Sequence, residues 1–246
     1  MDINKANARG FTALISAAEQ GRKEELKALL KEGADINAQN HDGDTALTLT
    51  VHNGCEEIAR ILIENGADVN LKNYDCNTPL ILAAQGDGYL DTVNLLIEKG
   101  ASVNVKNNVG DTPLHRAAYY GLYDIAKLLA LKGADVNAKN INGDTPLHNS
   151  MVYGWEDIAQ LLVWTGAYVD TQNNAGETPL QKAFYGNWNT IVKMLISNNA
   201  DVRDINMEAV ESRRRGSVFI SKESSDIRAN AQSYYEFTKA LENQRS

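Results

Sequence analysis

The sequence predicts an all-α solenoid of six helix-turn-helix units followed by a partly helical C-terminal tail. Three observations carry that prediction. Thr-Pro-Leu recurs at Thr78, Thr112, Thr145 and Thr178, Thr-Ala-Leu takes its place at Thr12 and Thr45, and successive threonines lie 33 or 34 residues apart. Gly-Ala recurs in the same register at Gly33, Gly66, Gly100, Gly133 and Gly166, with Asn199-Ala200 in the sixth place. Between the two markers, apolar residues fall at helical spacing twice in each period. Two markers in one register define a unit that cannot bury its apolar face alone and must stack on its neighbours.

The unit from Asn108 to Asn137 shows how each element is specified. Gly110 supplies the positive φ of a tight turn. Thr112 is a helix N-cap, and Pro113 stands at the first helical position, where its missing N–H costs nothing. Leu114, Ala117 and Ala118 bury one face of a short helix, and the alanines permit close stacking. Gly121 ends that helix; a second begins near Asp124, with Ile125, Leu128 and Leu129 as its apolar stripe. Gly133 stops it as a C′ residue.

The run Thr112-Pro113-Leu114-His115 and the run Gly133-Ala134-Asp135-Val136-Asn137 resemble the signature of ankyrin repeats, and the resemblance covers about residues 1–203. The repeats fall near 7–39, 40–72, 73–106, 107–139, 140–172 and 173–203. The resemblance implies a stack with a helical convex back. It also implies a concave face, lined by turn tips and first helices, that usually binds another protein. It does not name the partner.

Departures from the pattern carry their own expectations. Repeat 3 has an extra residue in Gln85-Gly86-Asp87-Gly88-Tyr89, so its inter-helix turn should bulge. Cys76 stands where the other five repeats have Gly10, Gly43, Gly110, Gly143 and Gly176, so its Cβ strains the turn or changes its type. In repeat 6, Asn187 and Asn199 replace both helix-ending glycines, as a terminal unit tolerates. Repeat 1 opens its second helix with Arg22-Lys23-Glu24-Glu25, the charged pattern of an N-terminal cap.

Composition limits the function. The chain has 246 residues, 43% hydrophobic and 23% charged, which is the balance of a folded globular protein. A net charge of −8 argues against a nucleic-acid partner, which needs a basic footprint. No apolar run is long enough for membrane insertion. Cys55 and Cys76 lack disulfide-framework or metal spacing, favouring a reducing compartment and a cytoplasmic protein. No phosphate-binding loop, zinc-binding helix motif or nucleophile elbow occurs, so neither cofactor nor metal is implied and an enzyme is not expected. His115 and His148 occupy the signature position where the resemblance implies hydrogen bonding to neighbouring turns.

The candidate site is a recognition surface. The two positions after the helix-1 small pair point toward the concave face in this fold. They include Tyr119, Tyr120, Tyr153 and Tyr185, with Trp155 and Trp188 in the turns that follow. Such rings often anchor interfaces; the alternative is packing against the next repeat. The residues preceding the signature threonines include Asp44, Asp111, Asp144 and Glu177, spaced about 10 Å apart by helix packing. These carboxylates are expected at exposed finger tips, where a row of them biases encounter toward a protein partner with a basic and hydrophobic segment. Simple solvation of the tips is the alternative.

From residue 204 the period stops. Residues 204–246 hold seven Lys/Arg and seven Asp/Glu, so the repeats carry the whole net charge. A loose segment is expected near 204–224 and an amphipathic helix near 226–243, with Ser225 as N-cap and Ile227, Ala231, Tyr234 or Tyr235, and Leu241 on one face. Arg213-Arg214-Arg215-Gly216-Ser217-Val218 has the pattern that basophilic protein kinases prefer, which makes Ser217 a candidate phosphorylation site with Arg214 and Arg215 as its determinants. Ten residues beyond Arg203, this basic run reaches the acidic tips of the last repeats. The same stretch resembles the inhibitor segment of cyclic-AMP-dependent protein kinase regulatory subunits. No cyclic-nucleotide-binding domain follows, so that resemblance implies a fragment or a divergent relative. The reading of the whole chain is a monomeric, non-enzymatic interaction module. Its alternatives are a kinase-regulating subunit whose tail fills the kinase cleft, and an effector of an intracellular organism acting on host proteins.

Overall fold

The computed structural model describes residues 2–202. Twelve helices lie among them, two to a repeat: α1 (Ala13–Glu19) with α2 (Lys23–Lys31), α3 (Ala46–His52) with α4 (Glu56–Glu64), and α5 (Pro79–Ala83) with α6 (Leu90–Glu98). They continue as α7 (Pro113–Tyr120) with α8 (Tyr123–Leu131), α9 (Pro146–Ser150) with α10 (Glu156–Trp164), and α11 (Pro179–Tyr185) with α12 (Asn189–Ser197). First helices pack on first helices from α1 to α11, and second helices on second helices from α4 to α12, giving two helical layers. The described part is therefore the predicted helical solenoid.

Starts and stops are chemically local. Thr112 is extended, and its hydroxyl accepts from the His115 N–H, capping α7 before Pro113. Second helices end in a Schellman pattern: the Gly133 N–H bonds the Ala130 carbonyl and the Ala134 N–H reaches Leu129. In repeat 6 the same pair of bonds closes on Asn199, which takes the left-handed conformation at φ 64°. Asn187 does the same at φ 61°, so both asparagines substitute for glycine without altering the turn. Cys76 also keeps the turn, at φ 57°; of the two outcomes expected for it, strain is the one observed.

The core runs the length of the stack between the layers. The signature leucines Leu14, Leu47, Leu80, Leu114, Leu147 and Leu180 are each at most 1% exposed. Burying one such side chain contributes about 1.5–3 kcal/mol. Beside them Ala17, Ala18, Ala83, Ala84, Ala117 and Ala118 are fully buried, letting adjacent first helices approach closely. Repeat 3 absorbs its extra residue between α5 and α6, where Gly88 turns the chain at φ 88°.

Repeats are also joined by a backbone ladder at the turn tips. The N–H groups of His41, Tyr74, Asn108, Ile141 and Asn174 donate to the carbonyls of Arg9, Asp42, Asp75, Val109 and Asn142, each in the repeat before. At Gly110 the close approach leaves no room for a side chain, since a Cβ there would stand 2.8 Å from the Ile141 nitrogen; Cys76 holds the equivalent left-handed turn with its Cβ in place.

Candidate functional site

Four predicted aromatic residues meet on the first-helix face of repeats 4 and 5. Tyr119 and Tyr120 end α7, while Tyr153 lies in the turn after the shorter α9. Tyr119 packs edge-on against Tyr120 with centroids 5.1 Å apart and against Tyr153 at 5.4 Å; Tyr153 contacts Trp155 at 6.2 Å. The Tyr119 and Tyr153 hydroxyls are 3.3 Å apart, and this contact holds the Tyr153 phenol above its usual pKa. Tyr120 remains 42% and Tyr153 53% exposed, so the rings support one another while keeping faces open. Edge-on aromatic pairs are worth about 0.5–1.5 kcal/mol beyond their buried area, which makes this a preorganised cluster.

The other predicted rings are placed differently. Tyr185 packs with Phe184 at 6.3 Å within its own repeat. Trp188 is half-buried against the core and donates its indole N–H to the Met151 carbonyl at 3.0 Å. Trp155 makes the equivalent bond to the Tyr119 carbonyl. Both tryptophans lie over the inter-helix glycine of the preceding repeat: a Cβ at Gly121 would be 2.6 Å from Trp155, and one at Gly154 would be 2.3 Å from Trp188. Each ring thus covers carbonyls left open where a first helix ends. Trp155 serves both this joint and the tyrosine cluster.

The acidic column differs from the expected exposed row. Asp111 is 6% exposed; its carboxylate accepts from the Asn140 side chain at 2.9 Å and stands 3.5 Å from the Arg116 guanidinium. Asp144 is half-buried, with the Lys182 ammonium and the Asn173 side chain at 2.8 and 2.9 Å. Burial alone would raise the Asp144 pKa, but Lys182 and Asn173 outweigh it and hold the carboxyl below its ordinary range. Glu177 is half-buried. The reason is register: each turn leans on the next repeat, which delivers an amide or a cation to the carboxylate. Asp111 and Asp144 are consequently occupied within the chain.

The residues that create this arrangement are an asparagine column that sequence reasoning passed over. Asn140 accepts the N–H groups of Asn142 and Asp144 and donates to Asp111; Asn107 and Asn173 do the same for their own turns and for Asn77 and Asp144. The signal was available, since asparagine recurs at 7, 40, 73, 107, 140 and 173, the same register in all six repeats.

The two signature histidines are structural. His115 is fully buried, receives the Thr112 N–H on Nδ1 at 3.2 Å and donates Nε2–H to the Asp144 carbonyl at 3.0 Å. His148 repeats this with Thr145 and Glu177. Burial depresses both imidazole pKa values, so each ring is neutral with its proton on Nε2. Cys55 and Cys76 are free thiols. Among the described residues no His/Cys/Asp/Glu cluster could hold a metal, and no helix is long and apolar enough to cross a membrane. Ser217, Arg213, Arg214 and Arg215, and the helix expected near 226–243, lie outside the described residues.

No curated protein matches the chain. A family model described as ankyrin repeats in three copies matches residues 1–73, 71–140 and 132–206, which together span all twelve helices of the described residues. With its two helical layers, its Thr-capped first helices and this match in one register, the chain belongs to the ankyrin-repeat family.

Proposed function

We propose that the chain is a non-enzymatic protein-interaction module that holds a partner protein on the concave face of repeats 4 and 5. Ankyrin repeats are in general protein–protein interaction modules, and the observation that carries the finer reading is the open ring chain Tyr120–Tyr119–Tyr153–Trp155. Rings already fixed by one another lose little conformational freedom on binding, which is the property of an interface anchor. Tyr185, Trp188 and Glu177 extend the face into repeat 6. Because Asp111 and Asp144 are engaged internally, the rings take the partner's apolar groups and arginine planes, while the net charge of −8 steers a basic segment toward the stack.

The same reading places the protein in the cytoplasm as a monomer and makes Ser217 a regulatory phosphorylation site, with Arg214 and Arg215 recognised by a basophilic kinase. The free thiols fit a reducing compartment. The decisive experiment is affinity capture from native lysate by the intact chain and by a Tyr119→Ala, Tyr120→Ala, Tyr153→Ala variant shown to remain folded by its helical circular dichroism. A partner held by the intact chain and lost from the variant supports the reading. A partner held equally by both moves function to the tail, and a kinase among proteins so retained favours the kinase-regulating alternative.

A further inference from the structure

On the opposite face of the stack, the second helices of repeats 4 to 6 enclose an open groove of about 570 Å³. Its walls include Tyr123 of α8, Leu161, Val163 and Trp164 of α10, and Met194 of α12. Trp164 is 81% exposed, and Leu131, its counterpart one repeat earlier, is 72% exposed. In repeats 1 to 3 the same register position holds Lys31, Glu64 and Glu98. The helix-2 face thus changes from charged to apolar in repeats 4 and 5, where nothing in the repeats' own packing requires it. An exposed tryptophan beside a groove marks a surface that something covers.

We propose that this groove is covered by the chain's own residues 227–241. Asn198 lines the groove, and the described chain ends four residues later at Val202. The residues between Val202 and Ile227 span up to about 80 Å when extended, which makes every part of the groove accessible. Ile227, Ala231, Tyr234 and Leu241 fall at i, i+4, i+7 and i+14, a single apolar stripe for a helical segment. As a helix, 227–241 is about 22 Å long. Three second helices packed about 10 Å apart present a face of about 20 Å to match it. Charge agrees in sign: the groove offers Asp157 and no cation among its lining residues, while residues 227–241 carry Arg228 and Lys239 against one carboxylate, Glu236. Tethering supplies an effective concentration in the mM range, so a contact of modest intrinsic strength suffices.

This inference concerns the face opposite the tyrosine cluster and stands independently of the partner assigned there. The test is acrylamide quenching of tryptophan fluorescence in the full chain and in an Ile227→Asp, Leu241→Asp variant. Both changes lie outside the repeats and leave their fold intact. The variant is expected to show stronger quenching and a red-shifted emission, and that increment is expected to vanish in a Trp164→Phe background. Unchanged quenching overturns the proposal. So does an increment that survives Trp164→Phe, which would place the segment elsewhere, for example over the end of repeat 6 against Trp188. Protection that fades on dilution overturns it in favour of a second copy of the chain.

Discussion

The Lys182 ammonium of repeat 6 lies 2.8 Å from the Asp144 carboxylate of repeat 5, with both side chains largely withdrawn from water. The pair ties α11 to the finger of the preceding repeat, a use of the aspartate that competes with any use as a surface charge. Asp144→Asn keeps the shape and strands the cation. It is expected to lower unfolding stability by about 1.5–3 kcal/mol, the range for a hydrogen bond to a charged group. A double-mutant cycle with Lys182→Met, read from urea midpoints, should recover most of that loss as coupling. Additive losses would show that the pair contributes nothing of its own.

Stability should fall on mild acidification through the two buried histidines. Burial holds the folded imidazole pKa values of His115 and His148 below normal, whereas the unfolded chain takes up protons near pH ~6.5. Protons therefore favour the unfolded state. The contribution of the neutral rings is complete above that pH and is lost as pH drops through it toward the folded values. Urea midpoints measured between neutral pH and about pH 5 should decline, and less steeply for His148→Gln. An identical slope in the variant would assign the decline to other groups.

Gly154 sits at φ 72° beneath the Trp188 ring, with only 2.3 Å for an added Cβ. Gly154→Ala should therefore cost more than the ~1–2 kcal/mol of a left-handed alanine alone. Gly176, also at positive φ but with nothing within 4 Å of its Cβ position, provides the control. Thermal unfolding of Gly154→Ala and Gly176→Ala separates the steric part from the backbone part. Equal losses would mean that Trp188 yields freely.

Asn140 serves two amides of its own turn and one carboxylate of the turn before. Asn140→Ala should destabilise the stack by about 1–3 kcal/mol, the cost of leaving such buried groups unpaired. Asn140→Asp keeps the acceptor but sets a second carboxylate against Asp111, so its loss should be larger at neutral pH and shrink as pH falls into the carboxylate range. Chemical denaturation of both variants at two pH values distinguishes them.

The elements themselves were legible in the residues because their signals act over one turn of chain. Thr112-Pro113 opens a helix wherever it occurs, and Gly133 closes one; Asn199 could be read as a stop because asparagine tolerates the same left-handed backbone. Tyr119, Tyr120 and Tyr153 could be placed on one face by register alone. Their mutual edge contacts could not, because those depend on α9 ending at Ser150 and leaving Tyr153 in the turn.

What the sequence by itself determined is the six-unit helical stack and its capping chemistry, since each follows from residues a few positions apart or from a strict period; that His115 and His148 are neutral follows from their burial against the next repeat. What only the tertiary structure decided is which side chains are spent on holding the stack together. Asp144 meets Lys182 across 38 residues, Asp111 meets Asn140 across 29, and Trp155 reaches the Tyr119 carbonyl across 36. A register repeating at 33 or 34 residues brings the repeats side by side, but the small offsets around it depend on how each turn leans on the next. Those offsets set Asp144 against Lys182 and Asp111 against Asn140, and left the tyrosine rings open.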